Sequence, residues 1–341
     1  MTKNSLFLHL GIHKTGSSSI QRTLSDPQNA DTFKGHEVFI PRSFSPNCSA
    51  FFQSAFSPSP VRYHANMTEG LNIKQINDRT ELQVKRFRAE VTGLEGMKVV
   101  LSGEDGCTLP ASGLKSLHTM LADSVPNLSD IVVLIYTRDP FSYVNSAVQE
   151  NVKANHLTLE QARAIHIPAC SNRYRSLFER LSEAFPNARI IYRSFEDAIS
   201  SWGDVVVDFM LSLEIDADKL VISRENISIS DQAVRLLSHI RENGVTLTEH
   251  ESALIRALPG RRANILTAKD QARIAELARG DVEFLQNEFG IDYRDSLGGS
   301  MPINKPAGSL GSPDNELKRL KDRVSEPVQQ CISEFTDRAS H

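Results

Sequence analysis

The sequence predicts a three-layer α/β fold in which a central parallel sheet is flanked by helices. Four short apolar runs, at 6–10, 98–102, 131–136 and 189–192, are the candidate strands. The runs are unbroken rather than alternating, which is typical of parallel strands that are covered on both faces. Helical patterns lie between and after these strands, and this alternation favours a parallel sheet with right-handed crossovers.

Apolar residues at helical spacing predict three helices beyond the third strand. They cover 174–185, 202–213 and 233–240, and in each the apolar positions recur three and four residues apart. Ser230 precedes the last of these patterns and is expected to cap that helix, because a serine oxygen accepts a hydrogen bond from the first helical turn.

The first candidate strand runs directly into the sequence GIHKTGSSS at residues 11–19. A buried strand, a turn of Gly, Lys and Ser, and a helix together form a phosphate cradle, in which backbone N–H groups and a lysine face an anion. In the P-loop of nucleotide triphosphatases the lysine follows the second glycine and precedes a magnesium-binding Ser or Thr. Here Lys14 precedes Gly16 and Ser17 takes the lysine's place. This order predicts a phosphate site that works without magnesium.

A second candidate anion site follows the third strand, in the sequence YTRDP at residues 136–140. Arg138 falls at the carboxyl end of that strand, where open α/β sheets bind their ligands. Pro140 suits the first turn of a helix, which would place Ser146 about two turns along it. Arginine and serine together can hydrogen-bond a phosphate. Taken alone, an arginine at this position is more often part of a surface ion pair.

The two motifs together resemble those of the sulfotransferase family that uses 3′-phosphoadenosine 5′-phosphosulfate (PAPS). Residues 14–21 look like the family's 5′-phosphosulfate loop, with serines where threonines are frequent. Residues 136–146 look like its 3′-phosphate motif, and the eight-residue gap from Arg138 to Ser146 matches the family's spacing. The resemblance covers residues 5–295 and implies a P-loop-like fold of the sulfotransferase type.

Softer resemblances accompany these motifs. Residues 101–105 look like the Ser-x-Glu segment that is common in bacterial members of the family, and residues 224–228 also resemble a segment of bacterial members. Residues 194–197 resemble an aromatic-Glu-Asp turn near the adenine, which implies that Phe195 contacts the donor. The Arg-Lys-Gly loop that holds the 3′-phosphate in cytosolic animal members is absent from the sequence, where Gly-Arg-Arg at 260–262 is the nearest basic cluster.

The resemblance implies in-line transfer of a sulfuryl group from PAPS to a hydroxyl or amine of an acceptor, without a metal. Charge builds on the oxygen that links sulfur to the 5′-phosphate, and Lys14 is placed to neutralise it. The donor-binding residues of the loop would be Lys14, Thr15, Gly16, Ser17 and Ser18. A carbohydrate or lipid-linked glycan is the favoured acceptor, because similar bacterial proteins often modify such molecules.

A general base is expected to take the acceptor's proton. Glu104 is the first candidate, because it follows the second strand at the sheet edge that also carries Lys14 and Arg138; the alternatives are a helix cap or an ion pair with Arg138. His13 is expected either to contact the sulfuryl group or to be a polar residue without a role. Other candidates are Asp105 as a support of Glu104 or a cap, His9 as a satisfied core residue, and His64 and His118 as reserve bases.

Composition narrows the class of protein. The chain has 341 residues, of which 40% are hydrophobic and 23% charged, as in ordinary soluble proteins. A formal net charge of -4 argues against bulk attraction to nucleic acid. The four cysteines are widely spaced, which disfavours a disulfide framework or a zinc site. No apolar run reaches the length of a signal or membrane segment, so we expect a cytoplasmic protein without stable membrane insertion.

The expected organisation is one α/β domain over 1–295, a linker over 296–316 and a peripheral C-terminal helix over 317–341. The helix would dock back or pair with another subunit. Residues 43–66 are rich in Ser, Pro and Phe without a steady period. They are expected to form an acceptor-side loop, with the alternative that their aromatic rings simply pack a flap onto the core.

Two other classes of function stay open from the sequence. The first is a P-loop kinase or nucleotide triphosphatase, which the displaced lysine disfavours. The second is a nucleotide-binding protein that has lost turnover, or a partner-binding module. Both would keep the phosphate cradle, and only the proposed transferase would depend on Glu104.

Overall fold

The computed structural model describes residues 2–154, 157–224, 229–261, 264–297 and 313–339. The chain divides into two compact units. Unit 1 comprises Met1–Arg138, Arg173–Glu225 and Phe284–Ile291, and unit 2 comprises Asp139–Asn172, Asn226–Glu283 and Asp292–His341. The predicted single domain over 1–295 stays a prediction.

The described part of unit 1 contains a parallel five-stranded sheet with the strand order β2-β3-β1-β4-β5. The predicted α/β class with a central parallel sheet is confirmed. All four predicted strands form, and the strand that was not predicted, β2, has two residues and is too short to show a pattern. The strands are β1 (Asn4–His9), β2 (Val38–Phe39), β3 (Lys98–Ser102), β4 (Leu128–Thr137) and β5 (Arg189–Ser194).

The helices surround this sheet in unit 1 and form most of unit 2. Two of the three predicted helices, α9 and α12, have the expected extent, and the Ser230 side chain accepts a hydrogen bond from the Ala233 N–H as predicted. In chain order the helices are α1 (Ser17–Ser25), α2 (Ala30–Gly35), α3 (Ser49–Phe56), α4 (His64–Thr68), α5 (Ile73–Val91), α6 (Ala111–Ser124), α7 (Pro140–Ala154), α8 (Leu159–His166), α9 (Arg173–Ala184), α10 (Phe195–Trp202), α11 (Val205–Ser212), α12 (Asp231–Glu242), α13 (Glu249–Arg256), α14 (Ala268–Phe289), α15 (Arg294–Leu297), α16 (Pro313–Lys321) and α17 (Glu326–Ala339).

The predicted helix over 202–213 is wrong at its start. Gly203 has a φ of 74° and ends α10, and the side chain of Asp204 then caps α11 by accepting from the Val206 N–H. Trp202 therefore lies at the end of α10 with 53% of its surface exposed, while Val206 is fully buried. Periodicity alone misses this break because the apolar spacing continues across a left-handed glycine.

Both faces of the sheet are covered in unit 1. Phe7 of β1 packs with Ile20 of α1 and Phe209 of α11 in one hydrophobic cluster. Leu6 and Leu8 point to the opposite face, since side chains alternate along a strand, and neither is exposed. This burial explains the unbroken apolar runs in the sequence. Because the strands are parallel, the segments that follow β1, β3 and β4 emerge at the same sheet edge.

The segment at 43–66 contains helices rather than an irregular loop. It holds α3, a 3-10 turn at Pro60–Arg62 and the start of α4. Phe44 and Phe51 stack with their ring centroids 4.1 Å apart, and Phe52 is fully buried. These phenylalanine rings are thus packed in the interior, whereas Tyr63 of the same segment is only half-buried. The acceptor-side role of the segment stays a prediction.

Unit 2 is helical and has its own hydrophobic core. Pro140 begins α7 as predicted, and Asp139 caps that helix, because its carboxylate accepts from the Ser142 N–H. The region predicted as one peripheral helix forms two, α16 and α17, and both bury apolar side chains in the core of this unit. Of the predicted linker, residues 298–312 lie outside the described residues.

Three further expectations concern the chemical class of the chain. None of the four cysteines, all in the described part, forms a disulfide, and each is buried. Within the described ranges, no helix has both the length and the apolar character that crossing a bilayer requires. Among the same residues, no three His, Cys, Asp or Glu side chains are grouped so that they could hold a metal ion.

Candidate active site

The loop between β1 and α1 has the backbone geometry of an anion site. Lys14 and Gly16 both adopt left-handed conformations, with φ angles of 72° and 81°. Gly16 precedes α1 without a side-chain hydrogen bond that caps the helix. The N–H groups of Ser17 and Ser18 in the first turn are therefore oriented to meet an anion. A Cβ atom at Gly16 would also collide with Val205, so glycine is required there.

Buried polar atoms face the start of α1. Ser17 Oγ is buried and has no hydrogen-bond partner among the described residues, and the same holds for His9 Nε2. A Cβ atom at Gly11 would lie 2.6 Å from Ser17 Oγ and 2.7 Å from His9 Nε2. The loop therefore closes tightly around Gly11 and encloses the Ser17 hydroxyl beside it. The backbone N–H groups at the start of α1 are the donors that fit a phosphate group.

His9 differs in part from its predicted role as a satisfied core residue. The side chain is fully buried, and its Nδ1 atom lies 2.8 Å from Ser102 Oγ. Its Nε2 atom lacks a partner among the described residues. Burial lowers the pKa of His9 to about 3, so the ring is neutral. The prediction is therefore correct for burial and wrong for the second ring nitrogen.

Arg138 is buried beside this loop rather than exposed in a surface ion pair. Only 7% of its surface is exposed, and its guanidinium group donates a hydrogen bond to the carbonyl of Lys14. The guanidinium carbon lies 5.0 Å from the ring centroid of Phe195. The hydroxyl of Tyr174 accepts from the Arg138 N–H and donates to the Arg138 carbonyl, which fixes the backbone there. We call Lys14, Arg138 and Phe195 the cationic cluster.

A second group of polar side chains contacts the same loop through His13. Its Nδ1 atom lies 3.4 Å from the Glu104 carboxylate, and its Nε2 atom lies 3.0 Å from the Asp105 carboxylate. The hydroxyl of Tyr63 donates to the other Asp105 oxygen at 2.8 Å. We call His13, Glu104, Asp105 and Tyr63 the acidic cluster. Glu104 thus pairs with His13, whereas the carboxylate beside the Arg138 guanidinium is that of Glu196, at 3.9 Å.

The electrostatics of the acidic cluster decide the charge of His13. Burial alone would lower its pKa, but the hydrogen bonds and negative charges of Asp105 and Glu104 outweigh burial and raise the pKa to about 9. For Asp105, burial acts to raise the pKa, and its contacts with His13 and Tyr63 more than reverse this, so the pKa is lowered. His13 is therefore charged at neutral pH and is no base there.

A pocket of about 420 Å³ opens beside Asp105. Tyr63 and His64 line it with their ring centroids 4.3 Å apart, so the reserve base His64 lies in this pocket. The other reserve base, His118, packs against the ring of Phe185 instead, with 4.8 Å between centroids. The lining residues are Gln53, Ser57, Ser59, Arg62, Tyr63, His64, Asp105 and Thr108.

Several predicted residues lie apart from these clusters or act differently. The hydroxyl of Thr15 donates to the carbonyl of Ile12, so only the backbone of Thr15 is available to an anion. Ser146 lies on α7 in unit 2, and its part in a 3′-phosphate site stays a prediction. Within the two remaining motifs, residues 225–228 and Arg262 lie outside the described residues.

Sequence reasoning missed the partners that hold these clusters together. Nothing in the local sequence predicts the hydrogen bonds of Tyr174 to Arg138, because Tyr174 fits the helical pattern as one of its apolar positions. Tyr63 was visible only as one of several aromatic residues in the 43–66 segment. A tyrosine whose hydroxyl lies beside a distant carboxylate cannot be identified without the fold that brings them together.

Comparison with known proteins assigns no family to this chain. No family model matches the sequence, and no curated protein matches it. A solved structure similar to this chain is the sulfotransferase from Alicyclobacillus acidocaldarius, which is 16% identical, with a TM-score of 0.46 over 85% of this chain and 97% of that chain. A similarity at this level assigns no activity to the chain, so function has to be derived from the site.

Proposed function

We propose that this protein transfers a sulfuryl group from PAPS to a hydroxyl or amine of an acceptor. The observation that carries the proposal is the burial of the Arg138 guanidinium against both the Lys14 carbonyl and the Phe195 ring. These three residues come from the three separate motifs assigned to the 5′-phosphosulfate, the 3′-phosphate and the adenine. Their convergence is what a single bisphosphorylated nucleotide requires.

The loop would hold the 5′-phosphate in this proposal. The N–H groups of Gly16, Ser17 and Ser18 would face the phosphate at the N-terminus of α1. Thr15 contributes through its backbone. Lys14 neutralises the charge that develops on the leaving oxygen, and a preorganised donor of this kind is worth ~2.7–4 kcal/mol in the transition state.

The rest of the donor would lie on the side of Arg138. The guanidinium group can make bidentate hydrogen bonds to the 3′-phosphate, with Ser146 as the second contact that the sequence motif implies. Phe195 offers an aromatic face to the adenine. The basic residues in this cluster carry the negative charges of the donor without a metal, because a sulfuryl group has less charge to neutralise than a phosphoryl group.

The reaction is an in-line displacement. The acceptor oxygen attacks sulfur, the bond between sulfur and the bridging oxygen breaks, and 3′-phosphoadenosine 5′-phosphate (PAP) leaves. Glu104 takes the acceptor's proton, with a typical contribution of ~10²–10⁴-fold. Charged His13 keeps the carboxylate of Glu104 next to the loop that carries Lys14. The products are PAP, protonated Glu104 and a sulfate ester, or a sulfamate where the acceptor is an amine.

The expected partners follow from the same proposal. The acceptor is a small molecule or a glycan, for which a carbohydrate or lipid-linked glycan is the first choice. We expect no nucleic-acid partner, no stable membrane insertion and a cytoplasmic location.

Calorimetric titration of PAP into the purified protein without magnesium tests the proposal. We expect micromolar binding by the wild type, and no measurable binding by Lys14→Ala or Arg138→Ala. ATP with magnesium is the comparison ligand. A preference for ATP with magnesium, or no binding of PAP, would contradict the proposal and favour a P-loop kinase. Binding of PAP without any turnover of PAPS would favour a nucleotide-binding protein that has lost activity.

A further inference from the structure

The pocket beside Asp105 is built from side chains that make hydrogen bonds. Its lining contains hydroxyl, amide, guanidinium, imidazole and carboxylate groups, and none of the lining residues is aliphatic. At about 420 Å³, the pocket falls within the usual range of small-molecule sites, ~300–1,000 Å³. A pocket with this lining disfavours an apolar ligand, because an apolar ligand would leave its polar groups without partners.

An aromatic platform accompanies these polar groups. The Tyr63 ring is held in place because its hydroxyl donates to Asp105. Gln53 fixes the same wall, since its amide donates to the Asp105 carbonyl and to Thr108 Oγ1. A fixed aromatic face beside several hydroxyl and amide groups suits a sugar ring, which has C–H groups on its faces and hydroxyl groups around its edge.

A continuous chain of polar contacts joins the pocket to the phosphate loop. It runs from the Tyr63 hydroxyl to Asp105, from Asp105 to His13, and from His13 to Glu104. Asp105 lines the pocket and its partner His13 immediately precedes Lys14, so a single ion pair separates the pocket lining from the phosphate loop. The position of the pocket is therefore suited to the molecule that receives this group.

We infer that this pocket is the acceptor subsite and that it takes the sugar ring of a hydroxyl-rich acceptor, with Tyr63 as its platform. The inference rests on the proposed function. It assigns recognition to the sugar itself, so that a lipid portion of the acceptor is not needed for binding.

Saturation-transfer NMR on the full chain loaded with PAP tests this assignment. The probes are methyl glucoside, methyl galactoside and methyl mannoside, with naphthol as an apolar comparison. Ser59 is an exposed residue of the pocket lining, so the indole ring of Ser59→Trp should fill the pocket. Tyr63→Leu removes the aromatic ring without adding bulk, so the pocket stays open. Ser116→Trp places the same bulk on an exposed position of α6 and serves as the control.

We expect saturation of the glycoside ring protons in the wild type and in Ser116→Trp, and its loss in Ser59→Trp and Tyr63→Leu. Wild-type protein that binds PAP but saturates none of the glycosides would overturn the inference, as would glycoside signals that survive in both pocket variants. Signals from naphthol alone would also overturn it. A wild-type sample in which PAP gives no signals would instead overturn the proposed function, because PAP is observed in the same spectra.

Discussion

The loop between β1 and α1 has two chemically different sides. The Lys14 carbonyl accepts a hydrogen bond from Arg138, which follows β4. The neighbouring residue, His13, lies instead between Glu104 and Asp105, which follow β3. Because β1 lies between β3 and β4 in the sheet, each neighbouring strand end supplies one side of the loop. Two adjacent loop residues therefore contact opposite charges.

In the proposed reaction, this difference lets one loop serve both the donor and the acceptor. A nucleotide with two phosphate groups needs the cationic cluster, whereas removal of a proton from an acceptor needs a carboxylate. Pairing with His13 holds the Glu104 carboxylate at the loop, whereas the carboxylate beside the Arg138 guanidinium is that of Glu196, at 3.9 Å.

Glu104→Gln should have the largest effect on catalysis. We expect turnover to fall by ~10²–10⁴-fold, because the amide cannot take the acceptor's proton, while the affinity for PAP stays unchanged. The measurement is release of PAP from PAPS in the presence of methyl glucoside. The exposed Glu81→Gln variant is the matched control. Turnover equal to that of the wild type would remove Glu104 as the base.

Lys14→Ala should act on the other side of the loop. We expect turnover to fall by ~10²–10³-fold, since one preorganised donor to the leaving oxygen is lost, together with a loss of affinity for PAP. Lys3→Ala removes an exposed lysine just before the sheet and should change neither quantity. If both variants bind PAP as the wild type does, Lys14 does not contact the donor.

Gly11→Ala should disturb the close packing at the start of the loop between β1 and α1, on which both clusters depend. The added Cβ would meet Ser17 Oγ and His9 Nε2 at 2.6 and 2.7 Å, so we expect a loss of ~1–3 kcal/mol in the free energy of unfolding. Urea denaturation measures it. Gly35→Ala is the control, because a Cβ there has no atom within 4 Å. Equal stability of the two variants would mean that the loop has room around Gly11.

His13→Gln should have the smallest effect, and that effect should depend on pH. The folded state raises the pKa of His13 from 6.5 to about 9, so its stabilising contribution is complete below pH 6.5 and is lost as the pH rises through about 9. With 39% of the side chain exposed, solvent screening limits the contribution to about 1 kcal/mol. Urea denaturation across this range should show the variant approaching the wild type. A stability difference between variant and wild type that does not change with pH would mean that His13 is not stabilised by its ion pairs with Glu104 and Asp105.

Much of the fold could be predicted because the strands of unit 1 are buried on both faces. A short, largely apolar run such as 98–102, which lies between helices, is then predicted to be a buried parallel strand. The break at Gly203 could not be predicted, because the apolar spacing continues past it. The 43–66 segment also defeated prediction, since α3 packs through aromatic residues that show no steady helical period.

The site was predictable where its geometry is local. The positions of Lys14, Gly16 and Ser17 follow from one strand, one turn and one helix. The pairing of His13 with Glu104 and Asp105 depends on how the end of β3 meets the loop, over 90 residues along the chain, and no local pattern encodes it. The sequence therefore predicts which residues belong to the site, but it does not predict which of their side chains contact each other.

The affinity of PAP for Arg138→Gln and Glu104→Gln, measured side by side by calorimetry without magnesium, tests the division of the loop most directly. Thermal unfolding of each variant confirms that it is folded. We expect Arg138→Gln to lose PAP binding and Glu104→Gln to bind PAP as the wild type does. Equal affinities in the two folded variants would contradict the assignment of the donor to the Arg138 side.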